Sequence, residues 1–324
     1  MAEHQPAGGS GGGARVDLTR ARTARSVGER FIHLGLGAAA LVSVFVTFAI
    51  VFSLLKDTLS FFGEVGIGEF FFDTRWTPLL RGEQQSFGII PLLASTLYIS
   101  VVAMIVAIPV GLLSAIYLAE YAPPHVRKVV KPVLEVLAGV PTVVFGFFAL
   151  AFFTPEILQP LLGVGNINIF NQLAAGLIVG MLVMPTVASV AEDAMSAVPQ
   201  SLREGAFGLG ANRLQVSIRV VFPAALSGIV AGIVLGASRA VGETVVILLA
   251  AGNGQNLPNG IVWDPGESAG SMAAFIAGTA GGDIPLGSIS YKTVFAVGTT
   301  LFVITLLLNM LSIRLVRKFR QVYE

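Results

Sequence analysis

From residue 84 to residue 119 the chain carries no charged side chain, and Glu83 and Glu120 close that run at its two ends. A helix crosses the roughly 30 Å hydrocarbon core of a bilayer with about 20 apolar residues, so a run of this length has lipid as its natural solvent. Further apolar stretches occupy 31–55, 136–155, 157–191, 220–251 (interrupted by Arg239 and Glu243) and 293–313. With 54% hydrophobic and only 12% charged residues, the rest of the sequence supplies too little polar surface for a soluble globule. Allowing for loops, the chain is an all-α integral membrane protein with six spans, at about 31–55, 88–119, 136–155, 171–191, 224–251 and 293–313.

The placement of the twenty Lys and Arg residues sets the expected topology. Arg15, Arg20, Arg22, Arg25 and Arg30 precede the first span, and Arg127, Lys128 and Lys131 separate the second from the third. Arg203, Arg213 and Arg219 separate the fourth from the fifth, and Arg314, Arg317, Lys318 and Arg320 follow the last. The alternate loops hold only Lys56, Arg75, Arg81 and Lys292. Basic residues concentrate on the cytoplasmic side, so both termini are expected there and the number of spans is even. That parity makes Ser268 to Gly282, an uncharged run rich in small residues, an interfacial or re-entrant piece on the outside instead of a seventh span.

Residues 1–30, Gly-rich and then Arg-rich, read as a disordered cytoplasmic tail, because such a composition cannot bury enough apolar surface to order itself. Residues 31–324 are the membrane domain. The first span, with no small-x-small cleavage site after it, is expected to stay as an anchor. Residues 56–83 carry Phe61, Phe62, Phe70, Phe71, Phe72 and Trp76, aromatics suited to the membrane–water interface.

Glycines at 228, 232 and 236 in the fifth span recur every four residues, a spacing that lets a neighbouring backbone approach closely; Gly176 and Gly180 repeat it in the fourth. Pro109, Pro141 and Pro185 are expected to kink or break their helices. Arg239 and Glu243 lie near the middle of the fifth span, where an ionised group costs about 2.5–3.5 kcal/mol even on lenient scales. The two are expected to face the bundle interior or a water-filled path, on the glycine side of one continuous helix, and to pair with each other. Two roles stay open: an ion pair that fixes packing, or a guanidinium that meets an oxyanion while Glu243 holds it between cycles.

The segment from about 192 to 223, EDAMSAVPQSLREGAFGLGANRLQVSIRVVFP, breaks the apolar pattern on the cytoplasmic side. Pro199 starts a short helix, Gly208 and Gly210 punctuate it, and a second amphipathic stretch leads to Pro223 at the start of the next span. It reads either as an amphipathic helix on the lipid surface or as a helix-turn-helix shaped for a partner's groove.

Glu204-Gly205-Ala206, three residues, Gly210, nine residues, then Val220-Val221-Phe222-Pro223 resembles the EAA loop of ABC-importer permeases, E-A-A, three, G, nine, I-x-L-P. Gly205, Val220 and Phe222 depart from that pattern by small or apolar exchanges, while the glutamate, the glycine, the proline and every interval match. From about residue 30 onward the chain is similar to phosphate-specific permeases of the PstC type. The runs FGIIPLLASTLYIS and AIPVGLLSAIYLAEYAP in the second span, LAGVPTVVFGFFAL in the third and SRAVGETVVILLAAGN in the fifth carry the likeness.

The resemblance implies a type I ABC-importer permease fold in a bacterial or archaeal inner membrane. It implies that Glu204, Gly205, Ala206, Gly210 and Pro223 belong to a loop coupling the chain to a cytoplasmic ATPase dimer, and that Arg239 and Glu243 serve phosphate translocation. The implied partners are a second homologous permease, that ATPase, an external phosphate-binding protein, phosphate and membrane lipid, with no nucleic acid.

The sequence has no G-x-x-x-x-G-K-[ST] phosphate loop, so no ATPase site or cofactor of its own is expected, ATP being left to the partner. Without cysteine there is no disulfide and no thiolate metal site. His4, His33 and His125 lie beside no nucleophile, and no catalytic role is assigned. A permease for another oxyanion, molybdate or sulfate, stays open, since one intramembrane arginine does not select an anion. So does an ion-coupled carrier working alone with Arg239 and Glu243 as substrate and proton sites. A membrane scaffold would leave those charges without a purpose.

Overall fold

A computed structural model describes residues 25–80, 82–163, 166–252, 254, 264–282 and 284–319. Arg81 and most of the N-terminal tail lie outside them. Residues Met1–Ser53 and Leu54–Glu324 form two units. The first holds the beginning of helix α1 (Arg25–Phe62), whose apolar side chains from Phe31 to Phe52 are almost all exposed, as a lipid-facing helix requires. Helix thus begins at Arg25, within the segment expected to be a tail.

The second unit runs α2 (Ile67–Phe72), α3 (Ile90–Ile116), α4 (Pro124–Ala138), α5 (Thr142–Phe148), α6 (Gln159–Leu162), α7 (Gln172–Ser196), α8 (Gln200–Gly208), α9 (Arg213–Val216), α10 (Phe222–Ala224), α11 (Leu226–Val241), α12 (Val245–Ala250), α13 (Met272–Ala280) and α14 (Ile289–Phe319). Three π-helical stretches join neighbours, Tyr117–Tyr121 after α3, Ala149–Leu158 between α5 and α6, and Ser217–Val221 between α9 and α10. Among the described residues five helices are long and apolar enough to span a bilayer: Glu29–Phe62, Ile90–Tyr121, Thr142–Leu162, Gln172–Ser196 and Ile289–Arg314. A sixth candidate is a pair, Arg213–Ala224 and Leu226–Val241, bent by 71°.

The core is built on α7. A Cβ placed on Gly176 would strike Val102 of α3, one on Gly180 would lie 2.8 Å from the Ala103 carbonyl, and one on Gly111 of α3 would lie 3.1 Å from Val187. The contact points ascend together, so α3 and α7 run parallel, and one further span must return the chain between them. Against α11 the order reverses: Gly228 meets Ala194, Gly232 meets Val190, and Gly236 meets Val187 and Val183. These two helices are therefore antiparallel neighbours, with the three glycines lying directly on α7. Ile178, Val179, Leu182, Val183 and Val187 of α7 are fully buried between them.

Several local expectations are corrected. Pro109 and Pro185 lie inside α3 and α7 without breaking them, whereas Pro141 stands at a break, as the residue before α5. That break moves the third span to Thr142–Leu162, while residues 136–138 end the separate amphipathic α4. The aromatics of 56–83 divide, with Phe71 and Phe72 exposed and three of the others drawn into a core. Phe61, Phe70 and Trp76 are buried with Met272 and Phe275, and their rings meet edge to face at centroid separations of 5.0–6.5 Å. The run from Ser268 to Gly282 contains α13, whose first turn, Met272 to Phe275, is buried. Its small residues permit this, and the Met272 amide donates to Thr96 Oγ1 of α3 at 3.0 Å.

Candidate functional site

The fifth span does not run unbroken from 224 to 251. Helix α11 stops at Val241, capped by Gly242, and the chain restarts as α12 at Val245. The expected pairing of Arg239 with Glu243 is absent for that reason. Glu243 has left the helix, and its Oε1 accepts the backbone N–H groups of Thr244 (3.1 Å) and Val246 (3.3 Å), satisfying the open end of α12. A carboxylate already held by two amides at a helix start, with favourable dipole, gains little by turning back to the guanidinium.

Arg239 points elsewhere. Its Nη1 donates to Thr186 Oγ1 of α7 at 3.1 Å, and its Nη2 reaches the carbonyl of Ala138, the last residue of α4, at 3.5 Å. None of the ion pairs among the described residues includes it. A guanidinium has five N–H donors in a planar fork, so this one keeps donors and a net charge for an anion. Gly236, one turn before, brings α11 so close to α7 that Thr186 comes within reach.

The second candidate, the polar segment, forms a helical hairpin of α8 and α9. Glu192 and Asp193 belong to α7, which extends to Ser196, so the hairpin starts later than 192. Gly210 has φ +84°, the left-handed conformation that favours glycine. Its amide bonds to the Phe207 carbonyl and that of Ala211 to the Ala206 carbonyl, the double closure that ends a helix in a sharp turn. Asn212 then starts α9 with a reciprocal capping box, Asn212 Oδ1 accepting from the Gln215 amide and Gln215 Oε1 from the Asn212 amide, each at 2.9 Å. Pro223 lies in α10, before the 71° bend, and the span proper begins at Leu226 instead of at the proline.

One face of the hairpin is anchored and the other is free. Arg203 donates to Glu120 Oε1 at 3.0 and 3.2 Å and to the carbonyls of Met195 (2.8 Å) and Val198 (2.5 Å). The guanidinium of Arg213 lies 5.9 Å from the centre of the Tyr121 ring. Both anchors rest on the π-helical stretch that ends α3. Leu202 and Ala206 pack beneath on Met195, Val198, Val216 and Val221. Outward face Glu204, Gly205, Gly208 and Leu209, the last 91% exposed.

A family model described as the binding-protein-dependent transport system inner membrane component matches residues 107–321. The chain belongs to this family of membrane permeases. The permease is 31% identical to the probable ABC transporter permease protein YqgH of Bacillus subtilis, over 91% of this chain and 93% of that one. It is 33% identical to the phosphate transport system permease protein PstC of Haemophilus influenzae, over 78% and 82%, and 31% identical to the PstC of Pasteurella multocida, over 84% and 87%. Its fold is shared with a bacterial alginate ABC transporter crystallised with an alginate-bound periplasmic protein (TM-score 0.61, 16% identity, 94% and 100% coverage). The MetNI methionine ABC transporter shares it as well (TM-score 0.52, 19% identity, 72% and 95% coverage).

In the permease's hairpin a Cβ on Gly205 would meet no atom within 4 Å, so the departure from the E-A-A pattern is sterically free. What the sequence reading missed is a charged cluster one helix away. Glu192, 1% exposed, accepts from Arg127 and, at 2.7 Å, from Lys131 of α4, while Ser196 donates to it at 2.8 Å. Lys131 also bonds Asp193 at 2.5 Å. The signal was present: Arg127 and Lys131 are four apart on an amphipathic helix, as are Glu192 and Ser196 on the next span but one. Among the described residues no three His, Asp or Glu side chains converge to hold a metal ion.

Proposed function

We propose that this permease is the subunit of an ATP-driven importer that carries inorganic phosphate across the inner membrane, in partnership with a second, homologous permease. The observation that carries the reading is Arg239: a guanidinium on a membrane helix, held by a hydroxyl and a carbonyl and by no carboxylate. A phosphate oxyanion takes the remaining donors in a two-pronged hydrogen-bonded arrangement. The PstC relatives, named for phosphate transport, support that choice of anion.

In this reading the α8–α9 hairpin lies in the cytoplasm with both termini and docks on an ATPase dimer through the exposed face of Glu204 to Gly210. An external binding protein delivers phosphate on the opposite side. ATP closes the dimer, and rigid-body displacement of the docked hairpins opens the path outward. Glu243 shapes the break between α11 and α12, so that Arg239 lies next to a discontinuity in the helix.

Arg239→Ala is expected to abolish phosphate uptake in membrane vesicles while the variant still co-purifies with its partner subunits. Normal uptake by that variant sinks the proposal. Sulfate or molybdate uptake in place of phosphate by the unaltered transporter would reassign the anion and keep the role of the arginine.

A further inference from the structure

The charged cluster around Glu192 stands at the point where the membrane helices hand over to the hairpin. Helix α7 ends at Ser196, and only Ala197, Val198 and Pro199 separate it from α8. Arg203 of α8 ties that junction back onto the carbonyls of Met195 and Val198. The hairpin and the last turn of α7 are thereby one piece. Arg127 and Lys131 join α4 to that same turn through Glu192, Asp193 and Ser196.

Helix α4 then leads to Arg239. From Lys131 to Ala138 the helix rises about 10 Å, at 1.5 Å per residue, and its final carbonyls carry the negative end of the helix dipole. The carbonyl of Ala138 is the one that Arg239 Nη2 reaches at 3.5 Å. Both ends of α4 are thus engaged, one by an anion on α7 and the other by the cation of the candidate anion site.

We propose that Arg127, Lys131 and Glu192 form a lock that makes α4 move with the hairpin, so that displacement of α8 and α9 repositions the Ala138 carbonyl against Arg239. These are positioning residues. In the locked arrangement the carbonyl shares the guanidinium, and its withdrawal frees donors for the anion. A buried pair of this kind contributes little net stability but specifies one arrangement of its helices, which is what a transmission element needs. The inference rests on the reading of the hairpin as the ATPase-docking element.

The test uses the full transporter in proteoliposomes and reads phosphate taken up per ATP hydrolysed. Glu192→Gln, which keeps shape and removes charge, is expected to lower that ratio at least tenfold while ATP hydrolysis stays within about twofold. Lys131→Met is expected to act in the same direction, and the double variant to be no worse than the poorer single one, because both remove the same link. Variants that lose assembled protein, hydrolysis and uptake together, with the ratio unchanged, would show a merely structural pair and overturn the lock.

A second readout does not depend on the anion. The chain has no cysteine, so a single Gly139→Cys reports the position of the end of α4 by its maleimide labelling rate. ATP is expected to change that rate at least threefold in the otherwise unaltered transporter and not in the Glu192→Gln background. An ATP response that disappears with Glu192→Gln supports the lock even if phosphate proves the wrong anion. A response that persists in that background, or none in either, overturns it.

Discussion

Both ends of the helical bundle have an apolar core, but they differ in what is added to it. Around Trp76, residues 61 to 89 and α13 are joined by aromatic rings packed edge to face, with Phe61, Phe70, Trp76 and Phe275 all fully buried. Around Glu192 and Glu120, the ends of α3 and α7, α4 and the hairpin are joined by ion pairs, with Glu120 6% and Arg203 11% exposed. Dispersion and burial are non-directional and tolerate no gaps, so the aromatic end is built to be rigid. Ion pairs are directional and exchangeable, since either partner can take water or another ion. The difference teaches where this permease keeps its form and where it is equipped to change it.

The largest expected effect is at the rigid end. Trp76→Ala empties the centre of the ring cluster and should cost about 3–5 kcal/mol, read as a lower unfolding temperature of the detergent-purified protein. Trp76→Phe should cost less than Trp76→Ala, because the cavity it leaves is smaller and the Trp76 Nε1–H has no hydrogen-bond partner among the described residues, so its removal strands nothing. If the two substitutions cost the same, the contrast between the ends fails at its first term.

At the other end Glu192→Ala removes the anion that two cations share. Arg127 and Lys131 are 38% and 28% exposed, so water takes over part of what the carboxylate supplied. The expected cost is about 1.5–3 kcal/mol, the range for hydrogen bonds to charged groups. A cost above that of Trp76→Ala would mean that the ion-paired end is the structural keystone and would reverse the comparison.

Much of this architecture was legible in the sequence, for reasons that particular residues make plain. Gaps between charges locate spans because lipid excludes ions, and the glycines at 228, 232 and 236, about one turn apart, mark the face on which α7 packs. The position of a phenylalanine, by contrast, says nothing about whether lipid headgroups or Trp76 will surround it. Nor did the spacing of Arg239 and Glu243 foretell their separation. Glycine at 242 offers a helix end and Glu243 a cap for the next helix, and local hydrogen bonds to Thr244 and Val246 prevail over a charge pair drawn on a helical wheel. The cluster at Glu192 is hidden in the sequence because its members are some sixty residues apart in the chain, with Arg127 and Lys131 read as topological charges and Glu192 as the start of the polar segment.

Smaller effects separate two glycines within the hairpin. Gly210, at φ +84°, should cost about 1–2 kcal/mol when replaced by alanine. Gly205 lies inside α8 with open space around its Cα, so Gly205→Ala should stabilise the helix by about 0.5–1 kcal/mol. Paired unfolding measurements on the two variants check the signs. Equal destabilisation would mean that Gly205 faces something other than solvent in the assembled state.

The smallest effect distinguishes the ends by pH. At the aromatic end burial alone would raise the Asp73 carboxyl, but hydrogen bonds from Ser86 and the amides of Arg75 and Thr74, with the charge of Arg75, hold it below its ordinary value of 3.8. A lowered carboxyl contributes stability that is present above the unfolded value and lost as pH falls through the folded one. At the other end Asp193 and then Glu192 hold the Lys131 ammonium above its ordinary 10.5, against the opposing effect of burial. A raised ammonium contributes stability that is complete below the unfolded value and lost as pH rises through the folded one. Acid below about pH 4 should therefore loosen the turn at Asp73, and Asp73→Asn should flatten the acid limb of the stability curve without moving the alkaline limb. Lys131→Met should do the converse above about pH 10.5. Between those limits neither group changes charge. A neutral-pH change in stability abolished by either substitution would contradict the assignment of that group.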